Sequence, residues 1–301
     1  ALRTKDGCLK GKIARYCYVL KVSRQGFYGY LKNRNNPYKY QDLLNEMLAI
    51  LAEDEYNDTY GRVRMYQALE FRKEQGKTDI HIPSENTVRS VMIENNLIHK
   101  PYRKPNGITK ADRNARKSDD KLKRDFYSDI PNKKAITDIT EIPAKDGKCY
   151  VSATFDCFDK LVLGISISDN MRADLCAETL KNAIIAHPDL RGAIVHSDRG
   201  SQYTSAIYRE EIRRSGIIQS MNSDGGRCHD NARCESMWAR MKEEVFYSRN
   251  RKSQDYTISE LKSMIWRYFM SYWNNRRICS DSGLPPAEKR RRYYQSLSNT
   301  L

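Results

Sequence analysis

From Lys133 onward the spacing of apolar residues changes, and nothing else in the chain constrains its fold as much. Before that point apolar residues recur at helical intervals. After it come three short β-type runs, at 135–142, 149–157 and 161–168. The tight Phe158-Asp-Lys160 connection marks the second and third as a hairpin. A helix follows over 172–187, with Leu175, Thr179, Leu180 and Ala183 on one side. Gly192-Ala-Ile-Val195 and Gly216-Ile-Ile-Gln219 read as two further strands with a helix between them, and a long helix begins near Asn231. Three antiparallel strands followed by alternating helix and strand predict an α/β fold, a mixed five-stranded sheet with helices on both faces.

The flanking segments differ in kind. Residues 1–36 read as a helix-turn-helix: Leu9, Ile13, Tyr16, Cys17 and Leu20 keep a helical period, and Ser23 caps a second short helix carrying Arg24, Tyr28 and Leu31. Residues 37–100 form a second helical unit. Its stripe is Leu43, Leu44, Met47, Ile50 and Leu51; a helix starts at Tyr60-Gly-Arg-Val-Arg-Met65, and Pro83-Ser84 opens another carrying Val88, Val91, Met92 and Leu97. Ser23, Arg24, Arg62, Arg64, Thr87 and Arg89 are the candidate DNA contacts of these units; a plain helical bundle with solvated basic faces is the alternative. Residues 101–130 are rich in breakers and positive charge and read as a basic linker. Residues 131–250 hold the sheet, and 251–301 a basic helical tail ending in Pro285-Pro286 and Arg290-Arg-Arg292.

The charge points to a partner. Lys and Arg number 53 against 38 Asp and Glu, a net charge of +15, so a polyanion is expected, nucleic acid first and an anionic membrane surface second. No apolar run approaches the ~20 residues of a membrane helix, and the first 30 residues lack a signal-peptide core. The eight cysteines contain no Cys-x-x-Cys pair; Cys228, His229 and Cys234 lack a fourth zinc ligand at the usual spacing, and the thiols fit a reduced, cytoplasmic protein.

Three acids stand where metal chemistry would put them. Asp138 lies in the first strand. Asp198, in His196-Ser-Asp-Arg-Gly200, follows the fourth strand's carboxyl end, where α/β sheets place ligand sites. Glu235 lies on the first turns of the long helix, with 36 residues (199–234) between it and Asp198. Carboxylate oxygens suit Mg²⁺, and two such ions can stabilise the attacking and leaving oxygens of a displacement at phosphorus.

Ala-Ile-Thr-Asp138-Ile-Thr, His-Ser-Asp198-Arg-Gly-Ser-Gln-Tyr203 and Asp230-Asn-Ala-Arg-Cys-Glu235-Ser resemble the integrase catalytic core of IS-three-class insertion-sequence transposases. Val22-Ser-Arg-Gln-Gly-Phe-Tyr28, Tyr60-Gly-Arg-Val-Arg64 and Tyr272-Trp-Asn-Asn-Arg-Arg277 resemble other elements of that family, so nearly the whole chain is covered. The resemblance implies a ribonuclease H-like fold and a DDE triad of Asp138, Asp198 and Glu235. It implies two Mg²⁺ ions, with Mn²⁺ as substitute, and strand cleavage and transfer on double-stranded DNA, both the element's terminal repeats and a target. It further implies a homodimer or higher oligomer on DNA and a copy-out–paste-in route through a circular intermediate. The upstream helix-turn-helix and leucine-zipper segment, supplied by frameshift fusion, is absent from this sequence, which opens on Ala-Leu-Arg-Thr-Lys without Met. The chain departs from the family pattern in lacking a Trp beside Asp138 and in one extra residue around 223–227.

By similarity Lys242, two turns after Glu235 on one helix face, is a candidate contact to the transposon end, and Arg199 and Gln202 are candidates beside Asp198. Trp238, Met241 and Val245 read as core, and Asp156 as structural. Two rival functions use the same residues differently: a ribonuclease H-type nuclease, and a catalytically silent DNA-binding protein derived from a transposase.

Overall fold

The computed structural model describes residues 12–99, 125–221 and 232–298. The expected linker at 101–130 therefore lies almost wholly outside the described residues, as do Leu9, Cys228, His229 and the 223–227 insertion. The chain divides into two compact units between Asn45 and Glu46.

In the first unit α1 (Ile13–Val19) and α2 (Arg24–Asn33) are joined at Ser23, whose Oγ accepts the amide of Gly26 at 2.9 Å. That bond satisfies one of the amides left over at the start of α2. Cys17 is buried, whereas Tyr18, Leu20, Tyr28 and Tyr30 are exposed.

In the second unit, α3 (Gln41–Glu53) contributes buried Met47 and Ile50, and a 3₁₀ turn over Glu55–Thr59 leads into α4 (Arg62–Glu74). Met65, Ala68 and Leu69 of α4 are buried, as are Val88, Val91 and Met92 of α5 (Glu85–Glu94), which Ser84 caps. The helical spacing of both sets is why the two helices can pack against each other.

The sheet has five strands: β1 (Lys134–Ala144), β2 (Gly147–Asp156), β3 (Val162–Ser168), β4 (Ile194–Ser197) and β5 (Ile218–Met221), ordered β3-β2-β1-β4-β5. β1, β2 and β3 run antiparallel in sequence, while β4 pairs parallel with both β1 and β5. This is the expected ribonuclease H-like arrangement. The last two strands begin two residues later than the sequence suggests, because both glycines make turns. Gly192 has φ 80°, and Gly216, at φ 65°, is the left-handed cap of α7 (Ala206–Ser215).

Each face of the sheet carries its own core. On one, α6 (Ala173–Ala186) and α7 pack Leu180, Ala183, Tyr208 and Ile212 with Val195 and Leu163. Gly164 makes this closeness possible: a Cβ there would lie 2.5 Å from the Thr179 carbonyl oxygen and 2.6 Å from the Ala183 amide. On the other, α8 (Ala232–Val245) and α9 (Ile258–Trp266) contribute Trp238, Met241 and Ile265 against Phe155 and Val151. A π-helical continuation over Arg267–Trp273 adds Phe269 and Trp273 to the same core.

The tail does more than carry charge. Asn274 accepts the Val162 amide at 2.9 Å and donates to the Val162 carbonyl at 3.1 Å, which covers the edge strand β3. Pro286 opens a helix, α10 (Pro286–Ser298), where a missing amide costs nothing. Its Arg290 is buried and pairs with Asp156 and, at 2.7 Å, with Asp159, clamping the β2–β3 hairpin. Asp156 also accepts the Asn132 amide at 2.7 Å and that of Phe158 at 2.8 Å, the structural role read from the sequence. No helix among the described residues is long and apolar enough to cross a membrane.

Candidate active site

Strand register brings the first two acids together. Lys134, Ala135 and Ile136 of β1 lie opposite Ile194, Val195 and His196 of β4. Two residues beyond that pairing lie Asp138, within β1, and Asp198, just past the end of β4, near enough for the Asp198 charge to act on Asp138. His196 anchors β4 through a 2.9 Å hydrogen bond between its Nδ1 and Ser220 Oγ on β5. Past the strand, the Asp198 carboxylate accepts the Gly200 amide at 2.9 Å. A Cβ at Gly200 would lie 3.1 Å from that carboxylate oxygen and 2.8 Å from Gln202 Oε1, so this turn fits tightly around a glycine.

The third acid comes from α8. Glu235, Trp238 and Lys242 follow one another at i, i+3 and i+7, a single stripe along the helix. The Trp238 indole donates from Nε1 to Asp138 Oδ2 at 3.0 Å, so this stripe faces Asp138. A cleft of about 530 Å³ is lined by Asp138, Thr140, Glu235, Trp238 and Lys242. Glu235 is exposed at its mouth, and Lys242 Nζ reaches the Glu141 carbonyl at 3.4 Å.

Electrostatics separates this spot from ordinary surface. Burial and the charge of Asp198, with a smaller push from Glu235, drive the Asp138 carboxyl up to about 7, although the Trp238 hydrogen bond favours its ionised form. Like charges act on one another here, a pattern typical of functional sites. Among the described residues no three His, Cys, Asp or Glu side chains are drawn closely enough together to hold a metal ion. Mg²⁺ does not require that: it usually takes one or two carboxylates and completes its shell with water and substrate phosphate. All-oxygen, negatively charged donors fit such an ion.

Trp238 is the site residue that sequence reasoning missed. It reads there as core, and it is buried, with ring contacts to Phe155 at 5.4 Å and Phe269 at 5.6 Å. Its i+3 spacing from Glu235 is the signal that would have placed it by the acids.

The expected DNA contacts are dispersed. Gln202 donates to the Met171 carbonyl at 3.4 Å, and Arg199 is half-buried next to Asp198. Arg62 is exposed and paired with Glu85 at 2.9 Å; Thr87 lies in the first turn of α5 and Arg89 is exposed on it. Ser23 and Arg24 are exposed in the first unit, where Ser23 serves as a helix cap. Arg64 differs from the expectation: it turns inward, donating to Glu244 at 3.0 Å and to the Thr59 carbonyl at 3.0 Å, so its guanidinium is committed inside the protein.

Glu244 lies nine residues beyond Glu235 on α8 and is 1 % exposed. It also accepts Arg277 Nη2 at 2.7 Å and the Tyr268 hydroxyl at 2.8 Å. Burial alone would raise its pKa; Arg277 and Arg64 overcome that and hold it down at about 2. Tyr60 accepts the Ile278 amide at 2.9 Å. The Tyr60–Arg64 and Tyr272–Arg277 motifs, far apart in sequence, thus meet around the helix that carries Glu235.

With this geometry in hand, relatives can be compared. The integrase core domain family matches residues 128–228. The putative transposase InsK of insertion sequence element IS150 from Escherichia coli K12 is 30% identical over 275 residues, 91% of this chain and 92% of that protein. The chain belongs to the IS-three class of insertion-sequence transposases. The transposase InsF of IS3A, also from Escherichia coli K12, is 28% identical, covering 92% of this chain and 93% of its own length. The probable transposase of IS1353 from Shigella flexneri is 32% identical over 90% of this chain, which spans only 50% of that relative. Among solved structures, the HTLV-2 integrase catalytic core domain in complex with magnesium is 16% identical over 54% of this chain and 97% of its own, with a TM-score of 0.39. The simian T-cell lymphotropic virus intasome in complex with a PP2A regulatory subunit gives 15% identity and 0.41 over 69% of this chain and 67% of that one. Those scores are too low to argue from, and strand order and orientation carry the fold class.

Proposed function

We propose that this family member binds the ends of its insertion sequence and catalyses Mg²⁺-dependent strand cleavage and transfer through Asp138, Asp198 and Glu235. The observation that carries this is the crowding of carboxylates at Asp138, facing a helix stripe that ends in a lysine. Asp138 and Asp198 would hold the ions from the sheet, and Glu235 would complete the set from α8. When bound, two such ions supply stabilisation of both the attacking and the leaving oxygen at phosphorus. Trp238 orients the Asp138 carboxylate, and Lys242 presents a cation on the same stripe for the DNA strand beside the cleaved phosphate. Water attacks first and releases a 3′-hydroxyl, which then attacks a second phosphodiester; no protein nucleophile is needed.

Arg199 and Gln202 join Lys242 in contacting DNA near the acids, while Arg62, Thr87 and Arg89 on one unit and Ser23 and Arg24 on the other grip the terminal repeat. The reading includes a dimer or larger assembly on DNA, the copy-out–paste-in route, the frameshift-supplied upstream segment and a cytoplasmic, nucleoid-associated setting. The domain boundaries expected from sequence belong to it as well.

The test uses labelled duplex carrying the element's end with Mg²⁺ or Mn²⁺, comparing the unaltered chain with Asp198→Asn and Glu235→Gln. Nicking and joining that both substitutions abolish, while DNA binding survives, supports the assignment. Cleavage that survives both sinks it. Cutting of an RNA–DNA hybrid in preference to the element's end would favour the nuclease, and binding without cutting the silent derivative.

A further inference from the structure

The acid stripe occupies one side of α8; the opposite side is basic. Arg233, Ser236 and Arg240 recur at i, i+3 and i+7, about half a turn round the helix from Glu235, Trp238 and Lys242. With Lys160, Arg277 and Ser280 they line a cleft of about 200 Å³ that no acidic side chain among the described residues lines. The cations there differ in how they are satisfied. Lys160 pairs with Asp281 at 2.9 Å, and Arg277 is neutralised by Glu244. Arg233 donates to the Phe126 carbonyl and has no ion pair among the described residues. Arg240 is exposed and has no hydrogen bond or ion pair among the described residues. Partial burial first, then the like charges of Arg277 and Arg64, lower its pKa against the smaller opposing pull of Glu244. A guanidinium fork with no partner among the described residues, in a cleft that two serines also line, suits an oxyanion from outside.

We infer that this cleft binds a backbone phosphate of duplex DNA, with Arg240 as its main contact and Arg233, Ser236 and Ser280 around it. A helix about 10 Å across separates the cleft from the acids, so the phosphate held here is not the one cleaved. The protein therefore holds DNA on both sides of α8, at the acids for chemistry and at Arg240 for position. This inference rests on the proposed action on DNA, yet its test does not depend on cleavage.

The experiment measures affinity for end-containing duplex as a function of NaCl, in the cleavage-silent Asp198→Asn background, with Arg240→Gln or Arg233→Gln added. Arg213→Gln serves as the control, since it removes the same charge from an exposed arginine already paired with Glu210 at 2.7 Å on α7. Arg240→Gln is expected to weaken binding roughly 5- to 10-fold at 0.1 M salt and to reduce the slope of log K against log salt by about 1. It relieves repulsion from Arg277 and Arg64, so its melting temperature holds or rises, an outcome that a merely structural arginine would not give. Arg233→Gln is expected to give a smaller loss in the same direction, and the control little change. An unchanged slope for Arg240→Gln overturns the cleft while leaving action on DNA intact. Equal losses for Arg240→Gln and Arg213→Gln overturn it too, since net charge alone would then explain both. If the background protein binds no duplex at all, cleft and proposed function fall together.

Discussion

Two carboxylates that α8 touches, one at Trp238 and one on Glu244 less than two turns further on, meet opposite treatment. At Glu244 the chain surrounds a buried acid with Arg277, Arg64 and the Tyr268 hydroxyl, and the pKa is held at about 2. At Asp138 it gathers further acids and offers only the Ile139 amide and the Trp238 indole N–H, and the pKa is pushed up to about 7. Both are paid for by the same hydrophobic core, yet only the first is electrostatically complete. Where a buried charge serves architecture, its counter-ions come from the sequence itself. Where acids are gathered instead, as at Asp138, the pattern is that of a functional site.

Substitution can break that contrast. Asp138→Asn should reduce nicking by at least ~10²-fold, while the metal-free protein melts at the same temperature or higher, because a repelling charge has gone. A fall in melting temperature as large as that of a Glu244 variant would show that Asp138 is architecture after all. Glu244→Gln should cost roughly 3–5 kcal/mol in denaturant unfolding, since it strands Arg277 and Arg64 without their acid. A cost under about 1 kcal/mol would mean solvent satisfies those guanidiniums. The pH dependence sharpens the point. The folded pKa of Glu244 lies below the ordinary value of 4.5, so its stabilisation is present above that pH and is lost as pH falls toward about 2. That drop corresponds to roughly 3 kcal/mol, and urea midpoints followed from pH 5 to pH 2 should lack this component in Glu244→Gln.

The contrast also marks what a sequence discloses. The five strands and α8 are legible because apolar periodicity is local, and the three acids stand out because each occupies a recognisable place, mid-strand, strand end or helix start. Glu244 looks like one more acid on a helix of mixed charge, and its partners lie 33 and 180 residues away. Arg64 is expected at a DNA surface for the same reason: an arginine's type says nothing of which way it turns. Arg290, in a run that reads as a basic helical tail, is a buried clamp on Asp156 and Asp159. Long-range ion pairs leave no period to read. Trp238 shows a further limit, because an aromatic at core spacing conceals a polar atom with its own target.

That polar atom gives the smallest effect and the most direct probe of the acid site. Trp238→Phe keeps an aromatic ring near Phe155 and Phe269 but removes the donor to Asp138 Oδ2. A hydrogen bond to a charged group contributes about 1.5–3 kcal/mol, and the smaller ring adds a packing loss of its own. The two parts separate in a double-mutant cycle with Asp138→Ala, measured by urea unfolding at pH 8, where the carboxylate is mostly ionised. A coupling of about 1–2 kcal/mol would show that the indole stabilises the ionised Asp138, which makes Trp238 a positioning residue for the acid. A coupling near zero would reduce Trp238 to packing and leave Asp138 with no stabilising side chain from α8. The contrast between Asp138 and Glu244 would then be starker.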